Sequence, residues 1–497
     1  MITTPSQQTR TQTMIPLLAL CLGYFMTILD ITIVNVALVD IKEHLSANVT
    51  GLQWIVDGYA LIFASFLLTG GALGDRRGSR TIFLIGFALF TLASTLCSLA
   101  PTLLVLQIVR AFQGLGAALL VPNSLALLHT IYTDARKRAQ AIGMWAAVAS
   151  IGALSGPLLG GLLVNAFGWR SIFLINLPIG ILGFLLTSRS IAPSTLQAGR
   201  SLDLPGQGAS ILALGMLTFA LIEGNSLGSR SPLILAAYTG SVLFFLLLLF
   251  REKITRHPML PLALFQERTF SATNVVAVCQ TFTFTGFLFV MSLFLQQVKH
   301  YSPSLTGLAL LPSFGFALLA TSLSGRLMPR IGAKRVMVMG LLLSALGSFG
   351  FVLIETHTSY VLLACLLAVF GFGLALVLPA MTEAAMSHAP RAQSGIAAGM
   401  LNVSRQVGGV FGVAILGTLV GNQQTFLSGM HLAFAIAGGV LILGLVSAWV
   451  FISEHDMRRR RTTPHDHDTQ WSEDTVGKPN RTTRSAKVAL GRREKSE

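Results

Sequence analysis

The sequence predicts an all-α protein that crosses a membrane many times. Of its 497 residues, 53% are hydrophobic and only 11% are charged, and the mean hydropathy is +0.70. One soluble core cannot bury that much apolar surface. Apolar tracts of about 20 residues, the length that spans ~30 Å of hydrocarbon, recur along the chain. We count fourteen and predict fourteen transmembrane helices.

The predicted spans begin at residue 14 and end at residue 452. They are 14–38, 51–73, 81–100, 103–128, 139–164, 171–188, 206–222, 232–250, 270–296, 304–325, 335–355, 359–380, 394–420 and 430–452. The first tract is too long for the apolar core of a signal peptide, and no small-residue cleavage site follows it. We therefore expect it to remain as a helix.

Basic residues predict the orientation. Eighteen lysines and arginines fall in one alternating set of polar connections, whereas the other set holds only Lys42, Arg170, Arg230 and Lys299. Cytoplasmic connections carry the excess of basic residues in membrane proteins. We therefore predict an even number of helices with both termini in the cytoplasm. The net charge of +15 then reports orientation, and we expect no nucleic-acid partner.

An internal repeat predicts the domain organisation. GALGDRRGSR at 71–80 returns as GRLMPRIGAK at 325–334, and GLGAALLVP at 114–122 returns as GFGLALVLP at 371–379. Two copies in parallel order indicate two six-helix units separated by two further helices, a 6+2+6 arrangement. The predicted segments are a cytoplasmic leader (1–13), an N-terminal bundle (14–188), inserted helices (189–250), a C-terminal bundle (251–452) and a disordered basic cytoplasmic tail (453–497).

Five motifs carry a resemblance to a known family. They are LDITIVNVAL at 29–38, GALGDRRGSR at 71–80, IVRAFQGLGAA at 108–118, SIGALSGPLLGG at 150–161 and WRSIFLINLPIG at 169–180. Together they resemble the signatures of the major facilitator superfamily, and of its fourteen-helix drug:proton antiporter branch. The resemblance implies the major facilitator fold and export of toxic amphipathic or cationic compounds. The implied location is the bacterial cytoplasmic (inner) membrane, with the proton-motive force as energy source and no cofactor.

Two features depart from the family pattern. The second copy of the loop motif has Pro329 where the first has Asp75, so we expect a complete charge relay only in the N-terminal half. The connection between the last two spans is short. It leaves no room for the long extracellular segment that some relatives carry.

Three ionisable residues lie inside the N-terminal spans, namely Asp30, Asp57 and Arg110. A charge at the bilayer centre costs at least ~2.5 kcal/mol, and such residues usually have a function. The rise of 1.5 Å per residue places all three at similar depths, so we predict a proton-coupling group for which a cationic substrate competes. Two alternatives remain: Asp30 and Arg110 form a static pair that fixes helix packing, and Asp57 is hydrated.

The two glycine motifs have predicted mechanical roles. The loop motif predicts a tight cytoplasmic turn in which Asp75 latches a gate. Its residues are Gly71, Asp75, Arg76, Gly78 and Arg80. The alternative is that its arginines only set the topology. In the antiporter helix motif, Gly152, Gly156, Pro157 and Gly160 predict a smooth, kinked sliding face. The alternative is ordinary helix packing.

The ninth and thirteenth spans offer candidate substrate contacts. Gln280, Phe284 and Phe287 predict an aromatic and polar cavity wall, although dense phenylalanines also suit lipid contact or packing. Arg405 lies near the middle of its span and faces either the cavity or a neighbouring helix end. Acidic residues near span ends, Glu223, Glu355 and Glu383, are expected to be interfacial.

Other classes of protein lack their motifs. No GxxxxGK[ST] phosphate loop and no HExxH motif occur, and the four cysteines lie within apolar tracts, so we expect neither an enzyme nor a metal site. Two alternatives to drug export stay open: export of an endogenous metabolite or siderophore, and a non-transporting sensor or scaffold. The expected partners are the lipid bilayer, small-molecule drugs or lipophilic cations, and protons. A partner in the cell envelope is left open.

Overall fold

The computed structural model describes residues 5–193, 203–255, 262–388 and 394–453. Sixteen α-helices occur in this part of the chain. They are α1 Pro5–His44, α2 Val49–Arg77, α3 Ser79–Ser98, α4 Leu103–Ile131, α5 Ala135–Phe167, α6 Ser171–Leu174, α7 Asn176–Ser190, α8 Leu204–Glu223, α9 Pro232–Ile254, α10 Arg268–Leu293, α11 Pro303–Ala309, α12 Leu311–Ile331, α13 Ala333–Gly350, α14 Tyr360–His388, α15 Ser394–Leu419 and α16 Phe426–Phe451. A π-helical turn, Phe294–Val298, extends α10.

Thirteen stretches of the described helices are long and apolar enough to cross a membrane. Two of them combine a short helix with a longer one, α6 with α7 and α11 with α12. The remaining predicted span corresponds to α15, which has a comparable length of 26 residues. Its apolar character is reduced by Asn402, Ser404, Arg405 and Gln406. The prediction of many apolar helices is therefore confirmed, with thirteen or fourteen able to span.

Polar caps fix where several helices begin. The side chain before the first helical residue accepts a hydrogen bond from a backbone N–H three residues later, which satisfies a donor that the helix leaves free. This occurs at Asn48, Thr102, Asp134, Asp203, Ser231 and Ser302.

The first helix is longer than its apolar tract. It begins at Pro5, within the predicted leader, and ends at His44 rather than near residue 38. Its polar last turns are held by Asp40, whose Oδ2 accepts a hydrogen bond of 2.8 Å from the backbone N–H of Trp169. An apolar tract marks the lipid-spanning part of a helix and not its polar extensions. The predicted tail from residue 454 lies outside the described residues.

The internal repeat is visible in the packing. A Cβ on Gly114 of α4 would overlap the backbone of Tyr59 in α2, and one on Gly371 of α14 would overlap the backbone of Ser313 in α12. These contacts are equivalent in the two halves, since Tyr59 and Ser313 are separated by the repeat offset of 254 residues. Glycine thus permits the same close helix pair in each copy.

The turns between α2 and α3 and between α12 and α13 also match. Gly78 has φ +89° and Gly332 has φ +90°, a region that side chains other than glycine rarely adopt. Arg80, just after the first turn, donates a 2.7 Å hydrogen bond to the carbonyl of Ser188 in α7. At the equivalent position Lys334 lies over the Trp449 ring of α16, 5.5 Å from its centroid. A basic residue after each turn therefore contacts the last helix of its own half.

The two halves meet at the end of the bundle where α1 ends and α2 begins, hereafter the α1/α2 end. Gln53 of α2 donates hydrogen bonds of 2.9 and 3.0 Å to the carbonyls of Val413 and Ala414 in α15. On the other flank, Ser304 of α11 donates a 3.0 Å bond to the carbonyl of Gly161 in α5. These contacts close the α1/α2 end.

Closure is not uniform along the helices. One stripe of α15 is partly exposed at Ala398, Asn402 and Arg405, whereas Gly409 and Leu416, farther along, are buried against α10. On α1, Ile28 and Ile31 are half-buried, whereas Asn35 and Leu38, farther along the same face, are buried. Both helices are therefore more exposed toward the opposite end, and from this exposure and the bonds at the α1/α2 end we infer a central space between the halves that opens at the opposite end.

Helix α8 packs on α2 along its length. Gln207 donates a 2.7 Å hydrogen bond to the carbonyl of Ser65, and Glu223, at the other end of α8, accepts a 2.9 Å bond from the Trp54 indole. Thr418 of α15 also reaches the carbonyl of Leu221, at 3.4 Å. Helix α8 thus covers the line along which α2 meets α15.

The glycine contact between α2 and α4 predicts a measurable effect on stability. Gly114→Ala should lower the free energy of unfolding by about 1–3 kcal/mol, because its methyl group must displace backbone atoms. Gly143→Ala in α5 is the matched control, since nothing lies within 4 Å of its Cβ position. Thermal unfolding in detergent measures both variants, and equal melting temperatures would contradict the packing role of Gly114.

Candidate charge-coupling site

Four charged side chains in the described residues lie at least seven positions from both ends of their helices. They are Asp30 on α1, Asp57 on α2, Arg110 on α4 and Arg405 on α15. Every other charge on the described helices is nearer an end, where water or lipid headgroups can reach it. The chemistry available at mid-depth therefore rests on these four residues.

Asp30 and Arg110 form a buried ion pair. Nη1 of Arg110 donates to Oδ2 of Asp30, and the two side chains are only 0% and 1% exposed. The sequence prediction that the two residues lie together is confirmed. A buried pair stabilises only when its remaining hydrogen-bonding atoms are also satisfied.

Two amide side chains complete the surroundings of Asp30. Its Oδ1 accepts hydrogen bonds of 2.8 Å from Gln113 and 3.2 Å from Asn176. Gln113 also accepts a 2.8 Å bond from Nη1 of Arg110, and Asn176 donates a 3.0 Å bond to Ser94. Helices α1, α3, α4 and α7 thus meet in one polar network.

The guanidinium of Arg110 has two more contacts. Its Nε donates a 3.1 Å hydrogen bond to the carbonyl of Ile55 in α2, and its Cζ lies 4.3 Å from the centroid of the Tyr59 ring. A cation over an aromatic face is attracted to it, most strongly away from water. Arg110 thereby connects α2 to the same network.

Gln113, Asn176 and Ser94 were not identified from the sequence. Gln113 follows Arg110 by three residues in the same motif, so it shares a helix face with Arg110. Asn176 lies within the quoted motif WRSIFLINLPIG. Both residues thus lie within recognised motifs, but an uncharged amide in an apolar tract is a weaker indication of a buried polar site than a charge.

Asp30 does not line the central space. Ile28 and Ile31 mark the half-exposed face of α1, and Asp30 points into the N-terminal helices with none of its surface exposed. A substrate in the central space therefore does not touch Asp30 in this conformation. The predicted direct competition between a cationic substrate and the proton at Asp30 is not supported here. Coupling between the two must pass through the helices.

Asp57 lies apart from the ion pair, contrary to the predicted three-residue group. It is 0% exposed, and within the described part of the chain neither carboxyl oxygen has a hydrogen-bond partner. It follows Gln53, which contacts α15, and Trp54, which contacts α8, by about one turn. Asp57 therefore lies on the face of α2 that meets those two helices. Helical rise gives depth, but only packing shows which face a residue occupies.

The loop motif lies mostly on a helix. Gly71, Asp75 and Arg76 belong to the last turns of α2, and of the motif's predicted turn glycines only Gly78 is in the turn. A Cβ on Gly74 would overlap Asn123 of α4, so that glycine serves helix packing. The side chains of Asp75 and Arg76 are exposed. The gate-latch role of Asp75 remains a prediction.

The glycines of the antiporter helix motif face α1. Cβ atoms on Gly152, Gly156 and Gly160 would press on Phe25, Thr32 and Ile33, respectively. Pro157 lies within an unbroken α5, and its carbonyl faces Gly307 of α11. The predicted smooth face is therefore present, and it packs α5 closely against α1, while Gly161 and Gly307 allow the close approach of α5 to α11.

The three residues of the predicted aromatic and polar cavity wall do not share one environment. Phe287 is fully buried among Phe351, Phe370 and Phe434, so it belongs to the packing of the C-terminal helices rather than to a cavity wall. Gln280 is also buried and donates a 3.2 Å hydrogen bond to the carbonyl of Leu374. Phe284 is half-buried, as expected for a wall residue.

Comparison with known proteins identifies relatives along most of the chain. Residues 20–413 match the family described as the Major Facilitator Superfamily, and a second match covers residues 275–493. The chain is 40% identical to the methylenomycin A resistance protein of Bacillus subtilis over 88% of this chain and 94% of that protein. It is also 40% identical to the multidrug resistance protein Stp of Mycobacterium tuberculosis, over 83% of this chain and 76% of that protein.

A solved structure is similar in fold. The peptide transporter POT in complex with sulfate superposes with a TM-score of 0.67 at 16% sequence identity. The match covers 88% of this chain and 94% of that chain.

The ion pair predicts an energetic coupling between Asp30 and Arg110. Arg110→Leu should destabilise the protein by about 3–5 kcal/mol, because it leaves a buried carboxylate without its cation. Asp30→Asn combined with Arg110→Leu should be less destabilised, since asparagine can keep the bonds to Gln113 and Asn176 without a charge. Unfolding in an SDS titration measures both variants and Asp30→Asn alone, so that the energies of the single and double substitutions can be compared.

The control for this experiment is Arg230→Leu, which removes an exposed arginine from the connection between α8 and α9. It should change stability little. Additive effects of the Asp30 and Arg110 substitutions would show that the two charges do not stabilise each other.

Proposed function

Because this chain belongs to the major facilitator superfamily, we propose that it exports toxic amphipathic compounds from the cell in exchange for protons. It is a multi-pass membrane protein, and the two relatives named above are resistance proteins rather than enzymes. Those names support efflux. The protein needs no cofactor in this proposal, since the proton-motive force supplies the energy.

The network around Asp30 is the observation that carries proton coupling. The ionised carboxylate is fully satisfied by Arg110, Gln113 and Asn176. A proton on Asp30 removes the charge that holds Arg110 and frees α1 to move relative to α4. Helix α1 also borders the central space through Ile28 and Ile31. Protonation at Asp30 therefore changes the shape of that space without direct contact with the substrate.

The orientation and architecture in this proposal follow the distribution of basic residues. The α1/α2 end faces outward, both termini are cytoplasmic, and the helices form six, two and six in the cytoplasmic membrane of a bacterium. With the α1/α2 end sealed, the described conformation is accessible from the cytoplasm, as loading of an exported compound requires. Gly71, Asp75, Arg76, Gly78 and Arg80 then lie at the cytoplasmic gate.

Asp57 supplies a second coupling position in this proposal. It is buried at the contact of α2 with α15 and α8, where an ionised carboxylate would have no partner among the described residues. Ionisation of Asp57 therefore favours separation of α2 from α15. Separation there opens the α1/α2 end.

Asp30→Asn is the test of proton coupling. In cells that lack their own efflux pumps, this variant should lose resistance while remaining in the membrane, because asparagine neither binds nor releases the proton. The measurement is growth across a panel of chemically varied dyes and biocides. Glu355→Gln, which removes an exposed acid outside the helices, is the matched control and should keep resistance. Full resistance with Asp30→Asn would refute the coupling role.

Gln53→Leu is the test of alternating access. Loss of its bonds to α15 should open the α1/α2 end more often and expose a cysteine placed at Asn35, which is 3% exposed in the sealed conformation. A membrane-impermeant maleimide added to intact cells should then label Asn35→Cys faster, in a background without the four natural cysteines.

Gln207→Leu is the control for the access experiment. Gln207 bonds α8 to α2 and does not connect the two halves, so labelling should stay slow. Equal labelling with and without Gln53→Leu would show that this contact does not hold the outer closure.

A further inference from the structure

We propose that Arg405 binds an anionic group of the exported compound, so that the central space selects amphipathic acids over lipophilic cations. This inference rests on the proposed export function. It assigns a substrate class to the central space and the opposite charge preference from the one that the sequence implied.

Arg405 is a cation at mid-depth with unused hydrogen-bonding capacity. It lies 11 residues after the start of α15 and 14 before its end. Its Nε is buried, and no described residue accepts a hydrogen bond from it. Arginine presents a planar set of donors that matches a carboxylate in a bidentate pair. An arginine inside a membrane protein generally faces a cavity or a partner rather than lipid.

The helical periodicity places Arg405 where the α10-facing side of α15 meets its half-exposed stripe. Gly399 and Gly417 of α15 contact Leu68 and Gln53 of α2, so they mark the face toward α2. Arg405 is six residues beyond Gly399, about 240° around the helix at 100° per residue. On one side of Arg405, Gly408 and Gly412 pack on α10, and on the other side Ala398 and Asn402 are half-exposed. Arg405 therefore lies at the edge of the α10 contact, beside the half-exposed stripe.

No acid on the neighbouring helices balances this charge. Helices α2, α8, α10, α14 and α16 pack against α15, and neither α10 nor α16 contains an acidic residue. Glu223 of α8 bonds Trp54 at the α1/α2 end, and Glu383 of α14 lies five residues from the opposite end of its helix. Of the two acids of α2, Asp57 lies on the face toward α8 and the α2-facing side of α15, and Asp75 is two residues from the end of its helix.

The other mid-depth charges do not contribute a negative charge to the central space. Asp30 is enclosed within the N-terminal helices and paired with Arg110. Among the described residues, the mid-depth charge beside the central space is therefore the positive charge of Arg405. In a medium of low dielectric such a charge attracts an anion and repels a cation far more strongly than in water.

The position of Arg405 also suggests the shape of the ligand. Ser404 bonds Asn274 of α10 at 2.8 Å, which places Arg405 level with about residue 275 on that helix. The half-buried ring of Phe284 lies nine residues farther along, about 13 Å toward the α1/α2 end. A compound with an acidic head and an apolar body of that length would match the axial separation of Arg405 and Phe284.

The proposal has a consequence for energy coupling. Export of a monoanion in exchange for an entering proton moves two charges in the direction that an inside-negative potential favours. Exchange of a monocation for a proton moves no net charge. Transport of the anion should therefore respond to the membrane potential as well as to the pH gradient.

The test uses three pyrene probes of similar size and different charge. These are 4-(1-pyrenyl)butyrate, its methyl ester, and the corresponding trimethylammonium compound. Fluorescence anisotropy measures their binding to the full chain in nanodiscs of zwitterionic lipid. The wild type should bind the carboxylate about tenfold or more tightly than the cation, the scale of a charge-assisted hydrogen bond.

Variants at Arg405 separate charge recognition from folding. Arg405→Gln should weaken carboxylate binding by about tenfold or more and leave the ester unchanged, which shows that the cavity is intact. Arg405→Lys should give an intermediate affinity, since it keeps the charge but not the planar donors. Arg230→Gln, which removes an exposed arginine elsewhere, should bind as the wild type does.

Any one of four results would overturn the proposal. These are tighter binding of the cation, equal binding of all three probes, no binding of any probe, and an unchanged carboxylate affinity in Arg405→Gln. Proteoliposomes then distinguish this failure from failure of the export function. Proton-driven transport of the ester or cation without carboxylate preference leaves export standing and removes the acid site. Carboxylate binding that depends on Arg405, without any proton-driven transport, leaves the site standing and removes export.

Discussion

The ion pair between Asp30 and Arg110 is the constraint around which the N-terminal helices are arranged. Neither charge is tolerable alone inside the bundle, so each helix that touches the pair must supply a polar atom. Helix α1 brings the carboxylate, α4 the guanidinium and Gln113, α7 contributes Asn176, and α2 a backbone carbonyl. Buried polar networks of this kind are favourable only when complete. The network therefore specifies how these helices fit together, and a change in its charge is felt by all of them.

The two halves share a backbone plan but not this chemistry. The same glycine contacts recur in each, Gly114 with Tyr59 and Gly371 with Ser313, yet Leu367 occupies the position equivalent to Arg110 and is fully buried. Where the halves meet, the bonds from Gln53 and Ser304 go to backbone carbonyls. Gln296, in the π-helical turn after α10, also donates a 3.0 Å bond to the carbonyl of Val36 in α1. These neutral bonds have to break when the halves separate. Strong interactions thus lie within the N-terminal half, whereas the contact between the halves remains weak enough to open.

Much of this could be predicted from the sequence, because apolar length, repeated glycines and charges in apolar tracts each have a direct physical meaning. The pairing of Asp30 with Arg110 followed from their similar depth. The same reasoning misplaced Asp57, since depth along a helix does not specify the face on which a residue lies. Phe287 was also misplaced, because an aromatic residue suits a cavity wall and a packed cluster equally well. Gln113 and Asn176 required the three-dimensional arrangement of four helices to be recognised.

The position of α8 affects how a compound dissolved in the bilayer reaches the interior. The two halves adjoin along two seams, one between α2 and α15 and one between α5 and the α11–α12 pair. Helix α8 bonds to α2 through Gln207 and accepts a bond from Thr418 of α15, so it shields the first seam from lipid. No described helix shields the second seam in the same way. A hydrophobic molecule that enters sideways from a membrane leaflet therefore has one route instead of two, between α5 and the α11–α12 pair.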